Sequence, residues 1–197
     1  MFQRAFRRAG LMVKHSQGYT PRAIVSIALP LSVGMESCCE LLDFELEGTI
    51  PSSDMIMQKL NETLPSGIRV RQFYEETRKI KELAILDAKL FLEYDNGIPV
   101  NAQRQMTNLL NQDAIIVVKH SRKGDTETDI RPLLKEYTIS CVNDHVLVID
   151  LRVCAQNPAL NPQLIVDAIV RYCPEITPDF SHTSRVEIYD DSGCIFR

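Results

Sequence analysis

The chain has 197 residues, 45% hydrophobic and 24% charged, with a formal net charge of −4. That is the balance of an ordinary soluble globular protein, long enough for one large domain or two small ones. It excludes a bilayer-spanning helix, which needs about 20 consecutive apolar residues, and a net basic surface that coats nucleic acid indiscriminately.

The charge is segregated along the chain. No acidic residue precedes Glu36, while Arg4, Arg7, Arg8, Lys14 and Arg22 all do. Glu36, Glu40, Asp43, Glu45, Glu47 and Asp54 then follow before the next base, Lys59. A local cationic surface that attracts phosphate is therefore compatible with the net acidity. The basic start has neither an apolar h-region nor a small-residue cleavage site, so it does not read as a signal peptide.

Residues 2–9 separate on a helical wheel, with Phe2, Ala5, Phe6 and Ala9 on one face and Arg4, Arg7 and Arg8 opposite. Gly10 stands where a helix end wants a residue tolerant of positive φ. The arginines either face a partner or merely face water. After a loop, residues 23–29 read as a mostly buried strand ending at Pro30. In "ELLDFELEG", Leu42, Phe44 and Leu46 point one way and Asp43, Glu45 and Glu47 the other, a half-exposed strand. Residues 53–64 form a helix with serines at its N-cap, Asp54 in the first turn and Ile56, Leu60 and Leu64 at intervals of four. Pro65 and Gly67 stop it, and "IRVRQFY" returns as a strand.

The order is helix, strand, strand, helix, strand. One strand in front would make it β-α-β-β-α-β, the ferredoxin-like unit. "EETRKIKE" is charged and patternless, the connection between halves. Residues 86–93 alternate as a strand, 100–112 form a helix with Met106, Leu109 and Leu110 inward, and "AIIVVKH" is a short apolar strand. "LKEYTISCVNDHVLVIDLRV" is a hairpin turning at Asn143 and Asp144, with Tyr137, Ile139 and Cys141 facing the core opposite Leu147, Ile149 and Leu151. Asn161 and Pro162 open a helix striped by Leu164, Ile165, Ala168, Ile169 and Tyr172, and "SRVEIYD" closes as a strand. The expected fold class is α+β: two tandem ferredoxin-like βαββαβ units. Residues 1–78 make the first, lacking its N-terminal strand, and residues 79–197 the second, with an extra strand or hairpin near 128–135.

Most enzymatic signatures are absent: no Gly-rich phosphate loop, His-Glu-x-x-His, nucleophile elbow or zinc spacing. Cys38, Cys39, Cys141, Cys154, Cys173 and Cys194 are scattered, with no Cys-x-x-Cys pair, which fits reduced thiols in a cytoplasmic protein. His15, His120, His145 and His182 lie far apart in sequence, and no metal site is expected.

Two loops carry functional weight. In "KHSQGYTPR", Lys14, His15, Gln17, Tyr19 and Arg22 combine cations, hydrogen-bonding groups and an aromatic ring, a mixture suited to RNA phosphates and a stacked base. The alternative is a turn whose tyrosine packs. In "KHSRKGDTETDIRP", Lys119, Arg122 and Lys123 precede Asp125, Glu127 and Asp129. This is either a solvated hairpin tip or a basic finger on a phosphate backbone.

"FQRAFRRAGL", "SQGYTPRAIVSIALPLSVGMES", "ELLDFELEG", "KGDTETDIRPLL" and "RVEIYDDSGCIFR" together resemble the radical SAM-linked protein family. This is a bacterial domain of unknown function found beside, or fused to, a radical S-adenosylmethionine protein of the cobalamin-binding type. The likeness runs over nearly the whole chain and is most specific in residues 2–47. Relatives begin with a basic strand and a Ser-His-Leu-Asp segment ahead of the helix, and neither is present here. A start assigned too far downstream explains this better than a true truncation, because a sheet short of a strand exposes apolar surface and unpaired backbone groups.

The resemblance implies association with a radical enzyme, in RNA modification or a related pathway, and supplies no catalytic residues. The iron–sulfur cluster, S-adenosylmethionine and any cobalamin would belong to the partner, since this chain lacks the three-cysteine cluster motif. The leading expectation is an accessory protein without catalytic activity of its own, presenting a substrate such as RNA. Arg4, Arg7, Arg8, Lys14 and Arg22 would form its phosphate-facing surface, with Lys119, Arg122 and Lys123 as a second contact. The alternatives are a protein-only adaptor docking on an acidic partner, and a stand-alone enzyme using Asp43, Glu127 or Asp129 near His15 or His120.

Overall fold

The computed structural model describes every residue except Glu76, Ser121, Arg122, Lys123 and Asn157. Among the described residues the order begins α1 (Phe2–Arg8), β1 (Val25–Ile27), β2 (Met35–Ser37), β3 (Leu42–Phe44), α2 (Ser53–Thr63) and β4 (Leu83–Glu93). It continues with α3 (Ala102–Leu110), β5 (Ile116–Lys119), β6 (Thr126–Asp129), β7 (Leu134–Asn143), β8 (Val146–Cys154), α4 (Gln163–Tyr172) and β9 (Phe180–Asp190). The protein is mixed α+β and divides into two compact units. The first comprises Met1–Pro30 and Glu40–Lys79, the second Leu31–Cys39 and Ile80–Arg197.

In the first unit, α1 and α2 close over one side of the β1–β3 pair. Phe6, Ala9, Leu11, Val13, Ile56 and Leu60 form the core, with Phe44 and Phe73 packed against it. The α1 end follows from Gly10 at φ +66: Leu11 N–H donates to Phe6 O and Gly10 N–H to Arg7 O, which satisfies the last carbonyls. Ser52 Oγ caps α2 by accepting from Met55 N–H. The stretch after α1 pairs with the residues that flank the ends of these two strands. Lys14 N–H donates to Glu45 O and Ile24 N–H to Lys14 O, with bridges Val13↔Leu46 and His15↔Ala23.

Two expectations for this half are corrected. Residues 23–29 are not a mostly buried strand: only Val25–Ile27 form a strand, and Ser26 and Ile27 are exposed, because a two-stranded ribbon covers one face only. Residues 68–74 form no strand. Asn61, on α2, accepts from Val70 N–H at 2.7 Å and donates to Val70 O at 3.1 Å, so a side chain takes the groups that a ladder would have used.

The second unit holds a five-stranded sheet in the order β2-β9-β4-β8-β7. All neighbours are antiparallel except β2 and β9. Leu86, Ala88, Leu90 and Leu92 of β4 face inward with Leu147, Ile149, Leu151 and Val153 of β8. Each fully buried leucine or isoleucine contributes about 1.5–3 kcal/mol. The hairpin pairs as its pattern predicts, Tyr137↔Leu151, Ile139↔Ile149 and Cys141↔Leu147, but on this edge strand Tyr137 and Ile139 are only half-buried and Cys141, expected to face the core, is exposed. Asn161 Oδ1 accepts from Gln163 N–H and starts α4, whose Leu164, Ile165, Ala168 and Ile169 are buried. The extra strand is β6, paired with β5 in a separate ribbon. A strand–helix–strand–strand–helix–strand sheet therefore exists in this unit, while its expected tandem copy is not found among the described residues of the first. Strand β2 had no sequence signal; it adds to the β9 edge over Met35↔Thr183, Glu36↔Ser184 and Ser37↔Arg185. Among the described residues, no helix is long and apolar enough to cross a membrane.

Candidate functional site

Helix α1 buries Ala5 and Phe6, the latter 4.6 Å from Phe44 centroid to centroid, and this packing turns Arg4, Arg7 and Arg8 into solvent. Arg7 and Arg8 occupy the last turn, where the helix dipole favours positive charge. Among the described residues, no ion pair joins Arg4, Arg7, Arg8 or Arg22 to a carboxylate. Their charge is available to an external anion.

The chain then runs through Val13 into a hairpin closed at its base by Ser16 N–H donating to Arg22 O and Arg22 N–H donating to Ser16 Oγ. His15, Gln17 and Arg22 are exposed, and Tyr19 at the tip is 105% exposed, touching no core. The tyrosine therefore does not pack as a turn residue. Gly18 beside it has φ +143, a backbone conformation that a side chain would strain.

Lys14 is different from the arginines. Its Nζ lies 2.6 Å from Glu45 Oε2, and this hydrogen bond and charge hold the ammonium above the ordinary lysine range. Strand alternation sets the sides of the unit: Val13, Phe44 and Leu46 face the helices, so Lys14, Asp43, Glu45 and Glu47 face away. The outer side of α1 is cationic and the outer side of the ribbon acidic.

In the second unit, Lys119 ends β5 and is exposed. Arg122 and Lys123 lie outside the described residues. His120 Nδ1 meets Asp125 Oδ1 at 2.7 Å, Glu127 lies 3.8 Å from Arg171, and Asp129 Oδ1 accepts from Ile115 and Arg131 N–H. These carboxylates close the ribbon and its exit. Asp43 pairs across the first unit's ribbon with Ser26. None of the three carboxylates proposed for an enzyme is joined to His15 or His120 by a hydrogen bond or ion pair among the described residues. Nor is any group of three His, Cys, Asp or Glu arranged to hold a metal there. The six cysteines are free thiols.

Sequence reasoning missed the outward face of the five-stranded sheet. Arg152 makes a bidentate contact to Asp87 at 2.8 and 2.9 Å and lies over the Tyr189 ring at 5.0 Å. Lys89 pairs with Asp150 and Arg197 with Glu187. The signal was present in the alternation of Asp87, Lys89, Phe91 and Glu93, but the partners come from strands some 60 or more residues away.

A family model described as an uncharacterized protein conserved in bacteria (DUF2344) matches residues 1–162. The chain belongs to that family. The DUF2344 match takes in α1, the Tyr19 hairpin, the first unit and the sheet through β8; α4 and β9 follow beyond it, although β9 lies between β2 and β4. No curated protein matches the chain.

Proposed function

We propose that this DUF2344 protein is an accessory protein without chemistry of its own, which holds a polyanionic substrate, RNA foremost, for a radical S-adenosylmethionine partner. The observation that carries the reading is the set of four exposed arginines, Arg4, Arg7, Arg8 and Arg22, with no carboxylate partner among the described residues. They share one short stretch of chain with the fully exposed Tyr19. Cations that neutralise phosphates supply affinity, and an unpacked aromatic ring stacks an unpaired base. The acidic ribbon face of the same unit would orient a polyanion toward the helix. The radical partner rests on the family resemblance, and its cluster and S-adenosylmethionine would be held there.

The test is a gel-shift titration of the whole chain against bulk tRNA at several salt concentrations. Binding should weaken with salt at a slope of roughly 0.7 per phosphate contacted. Replacing Arg4, Arg7 and Arg8 together by Ala should reduce that slope by about 2 while circular dichroism stays unchanged. Salt-insensitive binding, or none at low salt, would overturn the RNA reading. Co-purification with a protein partner that survives nuclease would then favour the adaptor alternative.

A further inference from the structure

The outward face of the sheet in the second unit carries a square of four side chains on two neighbouring strands. Phe91 stands opposite His182, and Glu93 opposite Phe180, as Cα partners of β4 and β9. The Phe91 and His182 rings are stacked at 4.4 Å with a 3° interplanar angle, and Phe180 lies 6.1 Å from His182. Phe180 is 59% exposed, a large apolar ring left in water at a strand end.

The charges around the square decide what it accepts. On β4, β7, β8 and β9 the outward carboxylates Asp87 and Glu136 are taken by Arg152, Asp150 by Lys89 and Glu187 by Arg197. Glu93 has no Lys or Arg partner among the described residues, only the His182 imidazole at a loose 3.4 Å. Asp179, next to Phe180, is also exposed. An unneutralised carboxylate beside a second acid repels phosphate, so a nucleotide is disfavoured here. A planar cation satisfies everything present. A guanidinium donates two parallel N–H groups to a carboxylate and stacks on an aromatic face, which a compact ammonium does not do equally well.

We infer that Phe91, Glu93, Phe180 and His182 form a docking point for an arginine side chain of a partner protein. The square lies on an open sheet rather than in a cavity, so the guanidinium arrives on a larger molecule whose other contacts spread over neighbouring strands. This site is opposite in sign to the arginine surface of the first unit.

The experiment titrates the isotope-labelled full chain with the peptide acetyl-Gly-Gly-Arg-Gly-Gly-amide and follows the backbone and ring resonances by NMR. Shifts should centre on residues 91, 93, 180 and 182 and approach saturation on the order of 1–10 mM, an affinity that needs the Glu93 carboxylate contact as well as the aromatic stacking. The citrulline peptide, of the same shape without the charge, should bind at least about 5-fold more weakly. Glu93→Gln and Phe180→Ala should each produce a similar loss, with the remaining spectrum unchanged to show an intact fold. Equal shifts with citrulline, no shifts at about 20 mM, or stronger shifts with guanosine monophosphate would each overturn the assignment.

Discussion

The two units are stabilised in different ways. The second is built on strands of 11, 10, 9 and 11 residues, and the neighbouring strands β4 and β8 form a nearly continuous leucine, isoleucine and valine layer. The first has strands of three residues and a core in which Phe6, Ile56 and Leu60 do most of the packing. Its backbone groups are satisfied by an interposed segment and by the Asn61 side chain as much as by regular ladders. Long strands make a unit tolerant, because any one contact is a small part of the burial. A unit closed by one ring and one amide depends on each of them.

The comparison predicts unequal responses to core truncation, and this is the largest effect expected. Phe6→Ala removes a ring that is 1% exposed and should lose about 3–5 kcal/mol with opening of its own unit, whereas Leu90→Ala removes a side chain that is 0% exposed and should lose about 2–5 kcal/mol with the flanking strands still paired. In Phe6→Ala, limited proteolysis should cut within Met1–Pro30 and Glu40–Lys79 while the second unit's amides stay protected from hydrogen exchange. Simultaneous loss of both units in that variant would show that they unfold as one and would break the comparison.

A smaller effect belongs to the second unit alone. Burial first, and the charge of Asp179 second, push the Tyr94 phenol up to about 12, and its hydroxyl donates to Ile176 O at 2.9 Å. An unfolded tyrosine ionises near 10, so between about pH 10 and 12 the unfolded state sheds a proton that the folded state keeps. Stability should therefore fall across that window by up to about 3 kcal/mol, as read by urea denaturation at stepped pH. Tyr94→Phe should flatten this slope and lose about 1 kcal/mol at neutral pH. An unchanged slope in Tyr94→Phe would refute the assignment.

The smallest effect sharpens the account of the first unit. Asn61→Ala removes both hydrogen bonds to Val70 and should destabilise by about 1–2 kcal/mol. Faster hydrogen exchange should be confined to residues near Val70. If exchange there is unchanged, the amide does not hold this segment.

Much of the second unit was readable because its periods are clean. Alternation over β4 and β8 named the inward residues, and the Asn-Asp turn fixed the β7–β8 register through the Tyr137↔Leu151 pair. Residues 68–74 carry the same alternation in weaker form, with Ile68 and Val70 on one face, yet they stay out of any ladder. Local pattern cannot show that a side chain on a preceding helix will occupy their backbone groups. Three-residue β2 fell below any periodic signal. Of the candidate site, the arginines and Tyr19 were visible as residue types, and the exposure of Arg4, Arg7 and Arg8 agrees with the amphipathic pattern of α1. That Lys14 is engaged by Glu45 was not visible, since the two lie 31 positions apart.

Charge segregation, helix faces, caps and the long strands are properties of neighbouring residues, and the chain's own order was enough to establish them. Which carboxylate neutralises which base depends on strand register, and register is settled only when distant segments compete for the same backbone groups. Among the described residues, folding therefore leaves Arg4, Arg7, Arg8 and Arg22 without a carboxylate partner, engages Lys14, and leaves Glu93 with no lysine or arginine beside the rings of Phe91, Phe180 and His182.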